Sequence, residues 1–195
     1  GFPPFRNEWG HPASPPSRKT RTSPESCHDR VMPHVYCCID VEASGFGSGS
    51  YPIEVGVVLP NGGRHCYLIA PARAWKHWDE EAEQVHGITR EVLLTHGRPI
   101  QDVAWRLNEL LRRKTAYSDA WSYDMSWLGK LYEAANMRQT FRIADISELI
   151  DQEQHARWQA VKREVTTDLG LKRHRASGDA RILQETWRRV SRRAA

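Results

Sequence analysis

The chain has 195 residues, 39% of them hydrophobic, and its 28 Lys and Arg exceed its 24 Asp and Glu to give a formal net charge of +4. This length fits one domain with modest extensions. No apolar run approaches the about 20 residues that span a bilayer, so a membrane protein is excluded from the expected classes. The small basic excess favours a polyanionic partner only weakly. Because the N-terminal residues carry no hydrophobic signal segment, we expect a cytoplasmic protein.

Residues 1–33 differ in composition from the rest of the chain. They hold seven of the eleven prolines, together with many Ser and Arg residues, and they show no hydrophobic period. Such a segment cannot bury enough apolar surface to offset the conformational entropy that it would lose on folding. We therefore expect residues 1–33 to be a disordered extension and residues 34–195 to form the folded domain.

Three β-rich segments open the folded domain. They cover residues 35–41, 53–59 and 64–69, and the second and third are separated by an Asn-Gly-Gly turn signal. Short connections of this kind join antiparallel strands. The sequence therefore predicts an antiparallel meander at the start of the domain.

Helices and short strands alternate after this meander. Helical spacing or composition predicts helices at 79–85, 100–111, 125–135, 145–165 and 179–193, and short strands at 115–118 and 141–144. Gly87 is expected as a helix C-cap and Thr89 as an N-cap. A meander followed by this alternation predicts an α/β fold with a five-stranded mixed sheet flanked by helices.

The four cysteines do not form a recognisable metal site. They are Cys27, Cys37, Cys38 and Cys66, and no pair has the C-x-x-C spacing that is typical of zinc ligands. Adjacent Cys37 and Cys38 should point to opposite faces of a strand. We expect buried, reduced thiols in a sheet, which suit a reducing compartment.

Asp40 and Glu42 come at the end of the first hydrophobic strand. Because side chains alternate along a strand, both carboxylates should lie on one face, with Val41 turned into the core. Two carboxylates on one face repel each other unless cations neutralise them, and oxygen ligands suit Mg²⁺ or Mn²⁺. A strand end with solvated acids remains the alternative interpretation.

Three further residues are ambiguous when each is considered alone. Asp124 precedes a predicted helix and could be an ordinary first-turn or capping acid, and Asp179 could cap the last helix in the same way. His174 lies in a basic stretch and could be a surface residue. Its neighbours Lys172, Arg173 and Arg175 are candidates to contact phosphates.

The order of these residues along the chain is more informative than any one of them. Five segments, at 39–45, 52–56, 85–89, 123–124 and 174–180, resemble the DEDDh branch of the 3′→5′ exonuclease superfamily in order and spacing. Relatives in that superfamily include the proofreading subunit of bacterial replicative polymerase, ribonuclease T and oligoribonuclease. The resemblance covers nearly all of residues 34–190 and implies a ribonuclease-H-like fold. It departs from the family pattern at Ala120, where Asn is frequent, and at Ser177, where Leu is usual.

This resemblance implies a metal-dependent exonuclease. Asp40, Glu42, Asp124 and Asp179 would hold two divalent cations, Mg²⁺ or Mn²⁺, and His174 would be the general base. The expected substrate is the 3′ end of single-stranded DNA or RNA, and the expected product is a nucleoside 5′-monophosphate. The sequence leaves the choice between DNA and RNA open.

The family pattern also indicates residues near the substrate. They are Ala43, Ser44 and Gly45 after the first acids, and His86 in the His-Gly-Ile-Thr segment. Because aromatic faces can stack on unpaired bases, Trp121 or Tyr123 is also expected near the substrate. For Ser44 a simple strand-to-loop turn is an equally good interpretation, and Glu54 on the second strand is expected at the surface.

Two alternatives to a stand-alone enzyme stay open. One is a proofreading subunit held by a polymerase, although no polymerase-binding peptide is evident in the sequence. The other is a non-catalytic nucleic-acid-binding module, which has no use for four converging carboxylates. A homodimer is a further hypothesis, because several relatives are dimers.

Overall fold

The computed structural model describes residues 34–192. The predicted extension at 1–33 therefore lies outside the described residues, and so does Cys27. Five strands and six α-helices follow in the order β1 Cys37–Ala43, β2 Pro52–Val58, β3 Arg64–Leu68, α1 Glu80–His86, α2 Arg90–His96, α3 Ile100–Leu111, β4 Thr115–Ser118, α4 Trp121–Ala135, β5 Arg142–Asp145, α5 Gln152–Leu169 and α6 Ala176–Val190.

The five strands form one mixed sheet in the order β3-β2-β1-β4-β5. The pairs β1–β2 and β2–β3 are antiparallel, which confirms the predicted meander, whereas β1–β4 and β4–β5 are parallel. Since β1 and β4 run in the same direction, their carboxyl ends lie at one edge of the sheet. This edge carries Glu42 at the end of β1 and the segment that follows Ser118 on β4.

Helices cover both faces of the sheet. Side chains of β1 alternate between two cores: Cys37 packs in the cluster that contains Leu107 of α3 and Leu128 of α4, whereas Cys38 packs with Leu183 of α6. The predicted opposite orientation of the two cysteines is therefore confirmed. The expected α/β fold of a five-stranded mixed sheet flanked by helices is confirmed as well.

The structure corrects three sequence-based expectations about elements. The helix expected at 145–165 begins only at Gln152, because β5 continues to Asp145, a 3₁₀ turn follows at Ile146–Leu149, and Asp151 makes a capping box with Gln154. Residues 90–96 form a helix for which the hydrophobic spacing gives no signal. Cys66 is an exposed residue rather than a buried one, since it lies on the edge strand β3.

The caps around α1 and α2 agree with the sequence. Gly87 ends α1 in the left-handed conformation, with φ of 67°. The Thr89 hydroxyl accepts a hydrogen bond from the Val92 amide at the start of α2. Among the described residues, no helix combines the length and the apolar character that crossing a membrane requires.

Candidate active site at the carboxyl end of β1

The end of β1 presents two carboxylates beside a buried valine. Val41 is 5% exposed and belongs to the core, whereas the flanking Asp40 and Glu42 are only partly buried on the opposite face of the strand. The predicted alternation is therefore confirmed. Asp40 and Glu42 lie on the same face as Cys38, which is the side covered by α6.

Asp124 enters the same region from the first turn of α4. The N-cap of α4 is Ala120, so Asp124 is not a capping residue. Its side chain is 1% exposed, and its Oδ2 accepts a hydrogen bond from the Ser118 hydroxyl at the end of β4. Oδ1 is buried without a hydrogen-bond partner. A buried carboxylate oxygen without a hydrogen-bond partner destabilises the fold unless a ligand contacts it.

Asp179 and His174 are brought together by the turn between α5 and α6. Helix α6 begins at Ala176 with Arg175 as its N-cap, so Asp179 lies inside the first turn and not at the cap. Its Oδ2 accepts a hydrogen bond of 2.6 Å from the backbone N–H of His174. Arg173 Nε lies 2.7 Å from Asp179 Oδ1 without forming a hydrogen bond to it.

These side chains converge although they are distant in sequence. One ligand atom from each of Glu42, His174 and Asp179 lies within 4.8 Å of the other two. Asp40 lies on the same face of β1 as Glu42, and burial, followed by the charges of Asp124, Glu42 and Asp179, raises its pKa well above the ordinary value. All five residues predicted to be catalytic therefore lie in one neighbourhood.

The acids of this cluster repel one another when they are charged. Burial, followed by the charges of Asp179 and Glu54, raises the pKa of Glu42 to about 7. Burial also raises the pKa of Asp124 to about 7, although the Ser118 hydrogen bond lowers it in part. A divalent cation would offset both the burial of the charged carboxylates and their mutual repulsion, since it supplies positive charge and prefers carboxylate oxygens. The donor set therefore fits bound Mg²⁺ or Mn²⁺.

A cleft of about 380 Å³ opens beside the cluster. Glu42 and His174 form one wall, and three of the residues predicted to be near substrate, Ala43, Gly45 and His86, also line it. His86 is 2% exposed, its Nδ1 accepts a hydrogen bond from the Ile88 amide, and its Nε2 has no partner. Burial lowers the pKa of His86, which favours the neutral imidazole.

Ser44 and Tyr123 are placed differently from the cleft-lining residues. The Ser44 side chain is fully buried, and its hydroxyl accepts a hydrogen bond from the Tyr51 amide and lies 3.2 Å from His77 Nδ1. Tyr123 is 55% exposed and stacks on Trp127 at a centroid distance of 5.7 Å. Ser44 therefore stabilises the loop after β1 through buried hydrogen bonds, whereas Tyr123 is an exposed residue that packs beside the cleft.

Two further aromatic residues lie near the cleft. Phe46 and Trp127 line the cleft, and Phe46 packs edge-on against Tyr123 at a centroid distance of 5.6 Å. Phe46 is 66% exposed although it is large and apolar. Its position in a Gly- and Ser-rich loop just after the first acids is the one signal that could have identified it. We call Phe46, Tyr123 and Trp127 the aromatic cluster.

Gly45 allows the cleft loop to approach helix α1 closely. Its φ is 136°, a conformation that residues with a side chain rarely adopt. A Cβ at this position would lie 2.5 Å from Asp79 Cβ and 2.7 Å from the imidazole of His77. The glycine therefore lets the loop and the start of α1 form one wall of the cleft.

Glu54 contradicts the expectation of a surface residue. Its side chain is 0% exposed, and it pairs with Arg175. Arg173 and Arg175, which were expected to contact phosphates, both approach carboxylates instead. Lys172 is exposed and stays a candidate for a phosphate contact.

Comparisons with known proteins reveal a likeness in structure alone. No protein-family model matches the chain, and no curated protein matches its sequence. The solved structures of Exonuclease I do match. E. coli Exonuclease I in complex with a dA16 oligonucleotide superposes with a TM-score of 0.61 at 13% identity, covering 82% of this chain and 41% of that one.

Two further structures of Exonuclease I give similar values. The enzyme from Methylocaldum szegediense matches with a TM-score of 0.61 at 16% identity over 81% of this chain and 40% of that one. The zinc-bound E. coli ExoI–ssDNA complex matches with a TM-score of 0.62 at 13% identity over 82% and 41%. The likeness is one of fold. It confirms the ribonuclease-H-like architecture, and the chain spans about two fifths of the length of these structures.

Proposed function

We propose that the chain is a divalent-metal-dependent 3′→5′ exonuclease that hydrolyses the terminal phosphodiester bond of single-stranded DNA or RNA. Nucleoside 5′-monophosphates would be the products. The observation that carries this proposal is the convergence of four carboxylates and one imidazole, from three separate segments, beside an open cleft. A binding-only module would gain nothing from carboxylates that repel each other and the phosphates of a nucleic acid.

The four acids are proposed to hold two divalent cations. Asp40, Glu42, Asp124 and Asp179 supply oxygen ligands, and the buried, unpartnered Oδ1 of Asp124 supports this assignment. Bound divalent cations would supply Lewis-acid polarisation of the scissile phosphate and neutralise the charge of its oxygens. The residues themselves contribute fixed positions, because each lies on strand β1 or in the first turn of a helix.

His174 is proposed to be the general base. Its side chain is exposed at the cleft, where it can reach an attacking water molecule and take a proton from it. Glu42 and Asp179 lie beside the imidazole, so the general base is next to the proposed metal ligands. His174 would then return the proton to solvent after the nucleotide leaves.

The cleft and the aromatic cluster support a single-stranded substrate. A volume of about 380 Å³ lies at the lower end of the range of about 300–1,000 Å³ for small-molecule sites, which suits one terminal nucleotide. Exposed Phe46 and Tyr123 can stack on unpaired bases whatever their sequence. The matching Exonuclease I structures include complexes with single-stranded oligonucleotides, which is consistent with this substrate class.

The proposal is tested by the pattern of cleavage of 5′-labelled single-stranded DNA and RNA of equal sequence. We expect a ladder that shortens from the 3′ end in Mg²⁺ or Mn²⁺ and no cleavage with a chelator. Asp179→Asn should abolish the ladder, whereas Glu109→Gln, which changes an exposed acid on α3, should leave it unchanged. Internal cuts, immediate release of the labelled nucleotide, or full activity in chelator would each refute the proposal.

A further inference from the structure

We propose that Glu54 is a positioning residue which, through Arg175, holds the turn that presents His174 and Asp179 to the substrate. This inference rests on the proposed exonuclease function and adds a residue that neither contacts the cleft nor belongs to the metal-binding set. Its basis is an ion pair between the buried Glu54 of β2 and the partly exposed Arg175, at the point where the turn of residues 171–175 enters α6.

The Glu54 carboxylate is buried against the α6 turn, and the Cys66 side chain of β3 is a further hydrogen-bond partner. Arg175 Nε lies 3.2 Å from both carboxylate oxygens, and Arg175 Nη2 donates to Oε1 at 2.6 Å. The backbone N–H of Ala176, the first residue of α6, donates to Oε2 at 2.8 Å. Burial alone would raise the pKa of Glu54, but these hydrogen bonds outweigh it and hold the pKa below its ordinary value. Glu54 is therefore a charged anchor.

The anchor is attached to a rigid part of the sheet. β2 is buried at every position and pairs with a strand on each side, and Glu54 lies directly across from Glu42 of β1. Two residues further on, Gly56 contacts the same turn of backbone: a Cβ there would lie 2.1 Å from Ala176 C and from Ser177 N. Strand β2 therefore fixes the start of α6 by the ion pair, by the Ala176 hydrogen bond and by one close backbone contact.

The turn requires such an anchor because its backbone is unfavourable. His174 has φ of 59°, in the left-handed region that residues other than glycine seldom occupy. Conformations of this kind persist only where the surroundings over-determine them. The His174 amide is held by Asp179 Oδ2 on one side, and the next residue, Arg175, is held by Glu54 on the other. Release of Arg175 would free one end of the turn.

A purely structural salt bridge would have different consequences. If the pair only stabilised the fold, its loss would lower the unfolding midpoint and leave the turnover of folded protein unchanged. If it positions His174, its loss reduces kcat with little change in KM, because misplacement by about 1 Å can reduce the rate about 100-fold. The separation of kcat from KM therefore distinguishes the two roles.

The test compares Glu54→Gln with Arg142→Gln in the full chain. Gln keeps an oxygen that can accept from the Ala176 amide and removes the charge that holds Arg175. Arg142→Gln breaks the exposed Arg142–Glu148 pair and is the matched control. We expect kcat to fall about 10- to 100-fold in Glu54→Gln, with KM within about threefold, and no change in the control. Unchanged kcat in folded Glu54→Gln would overturn the proposal.

A second variant covers the case in which Glu54→Gln does not fold. Arg175→Lys keeps the counter-charge of Glu54 but cannot make the paired guanidinium contacts, and its side chain is partly exposed, so the change is tolerable for the fold. We expect an intermediate loss of kcat. The double variant, which combines Arg175→Lys with Glu54→Gln, should be no slower than Glu54→Gln alone, because both changes disrupt the same contact between Glu54 and Arg175. Additive losses, or full activity of Arg175→Lys, would overturn the proposal.

An activity-independent measurement separates this proposal from the proposed function. The backbone N–H resonance of His174 reports its short hydrogen bond to Asp179. We expect this resonance to shift in Glu54→Gln and Arg175→Lys and to stay in place in Arg142→Gln. If the wild-type protein cleaves no substrate, the proposed exonuclease function is wrong, and the His174 resonance alone tests whether Glu54 positions the turn. An unmoved His174 resonance in Glu54→Gln would then overturn the positioning role of Glu54.

Discussion

Replacement of Glu42 by Gln should stabilise the metal-free protein at alkaline pH. Burial, followed by the charges of Asp179 and Glu54, raises the pKa of Glu42 from its ordinary 4.5 to about 7. The folded protein therefore binds a proton more tightly at this site than the unfolded chain does. Between these two pKa values the folded state holds more protons, so the free energy of unfolding falls as pH rises.

The size of the effect follows from the two pKa values. One pKa unit corresponds to about 1.4 kcal/mol, so the difference between 4.5 and about 7 amounts to about 3 kcal/mol when the pH exceeds both. At about pH 5, which is just above the pKa of Glu42 in the unfolded chain, the ionisation of Glu42 lowers the free energy of unfolding by only about 1 kcal/mol. The substituted glutamine side chain carries no charge, so the Glu42→Gln variant should gain these amounts.

Urea denaturation in chelator at about pH 5 and about pH 8 measures this difference. We expect the advantage of Glu42→Gln over wild type to grow by about 2 kcal/mol across this interval. Added Mg²⁺ should stabilise the wild type and reduce the advantage, because cations bind the charged carboxylates of the folded state. If the two unfolding free energies change in parallel with pH, the electrostatic account of the site is wrong.

Three further predictions concern catalysis, packing and substrate binding. His174→Ala should lower kcat about 100- to 10,000-fold in the cleavage assay and leave Mn²⁺ affinity, measured by calorimetry, within a few-fold. Gly56→Ala should destabilise the fold by at least about 2 kcal/mol in urea, because the new methyl group would collide with the backbone at Ala176. Phe46→Ala should raise KM for single-stranded oligonucleotides about tenfold, since one exposed stacking surface is removed.

Matched variants define what would contradict each of these predictions. His155→Ala removes an exposed histidine of α5 and should not alter kcat; an equal loss in both variants would remove His174 from catalysis. Gly129→Ala adds a methyl group where nothing lies within 4 Å, so it should stabilise α4 by up to about 1 kcal/mol. Leu94→Ala removes an apolar side chain on α2 that is as exposed as that of Phe46, and a matching rise in KM would refute the stacking role.

The local features of this protein followed from the sequence. Alternation along β1 placed Asp40 and Glu42 on one face, and the Gly87 and Thr89 caps followed from the preferences of those residue types at helix ends. Such features depend on backbone geometry within a few residues, so the pattern of a short segment determines them. The order of the elements was predictable for the same reason, apart from the start of α5 and the helix at 90–96.

Only the tertiary structure decided which distant groups meet. The burial of Glu54, its pairing with Arg175 and the contact of Phe46 with Tyr123 join residues that are far apart in the chain. A glutamate on a strand is usually solvated, and nothing in the segment around Glu54 shows that an arginine 121 residues later will enclose it. The physical reason is that burial of a charge depends on packing between β2 and α6, where Gly56 lets the helix approach the sheet, and no local pattern records that approach.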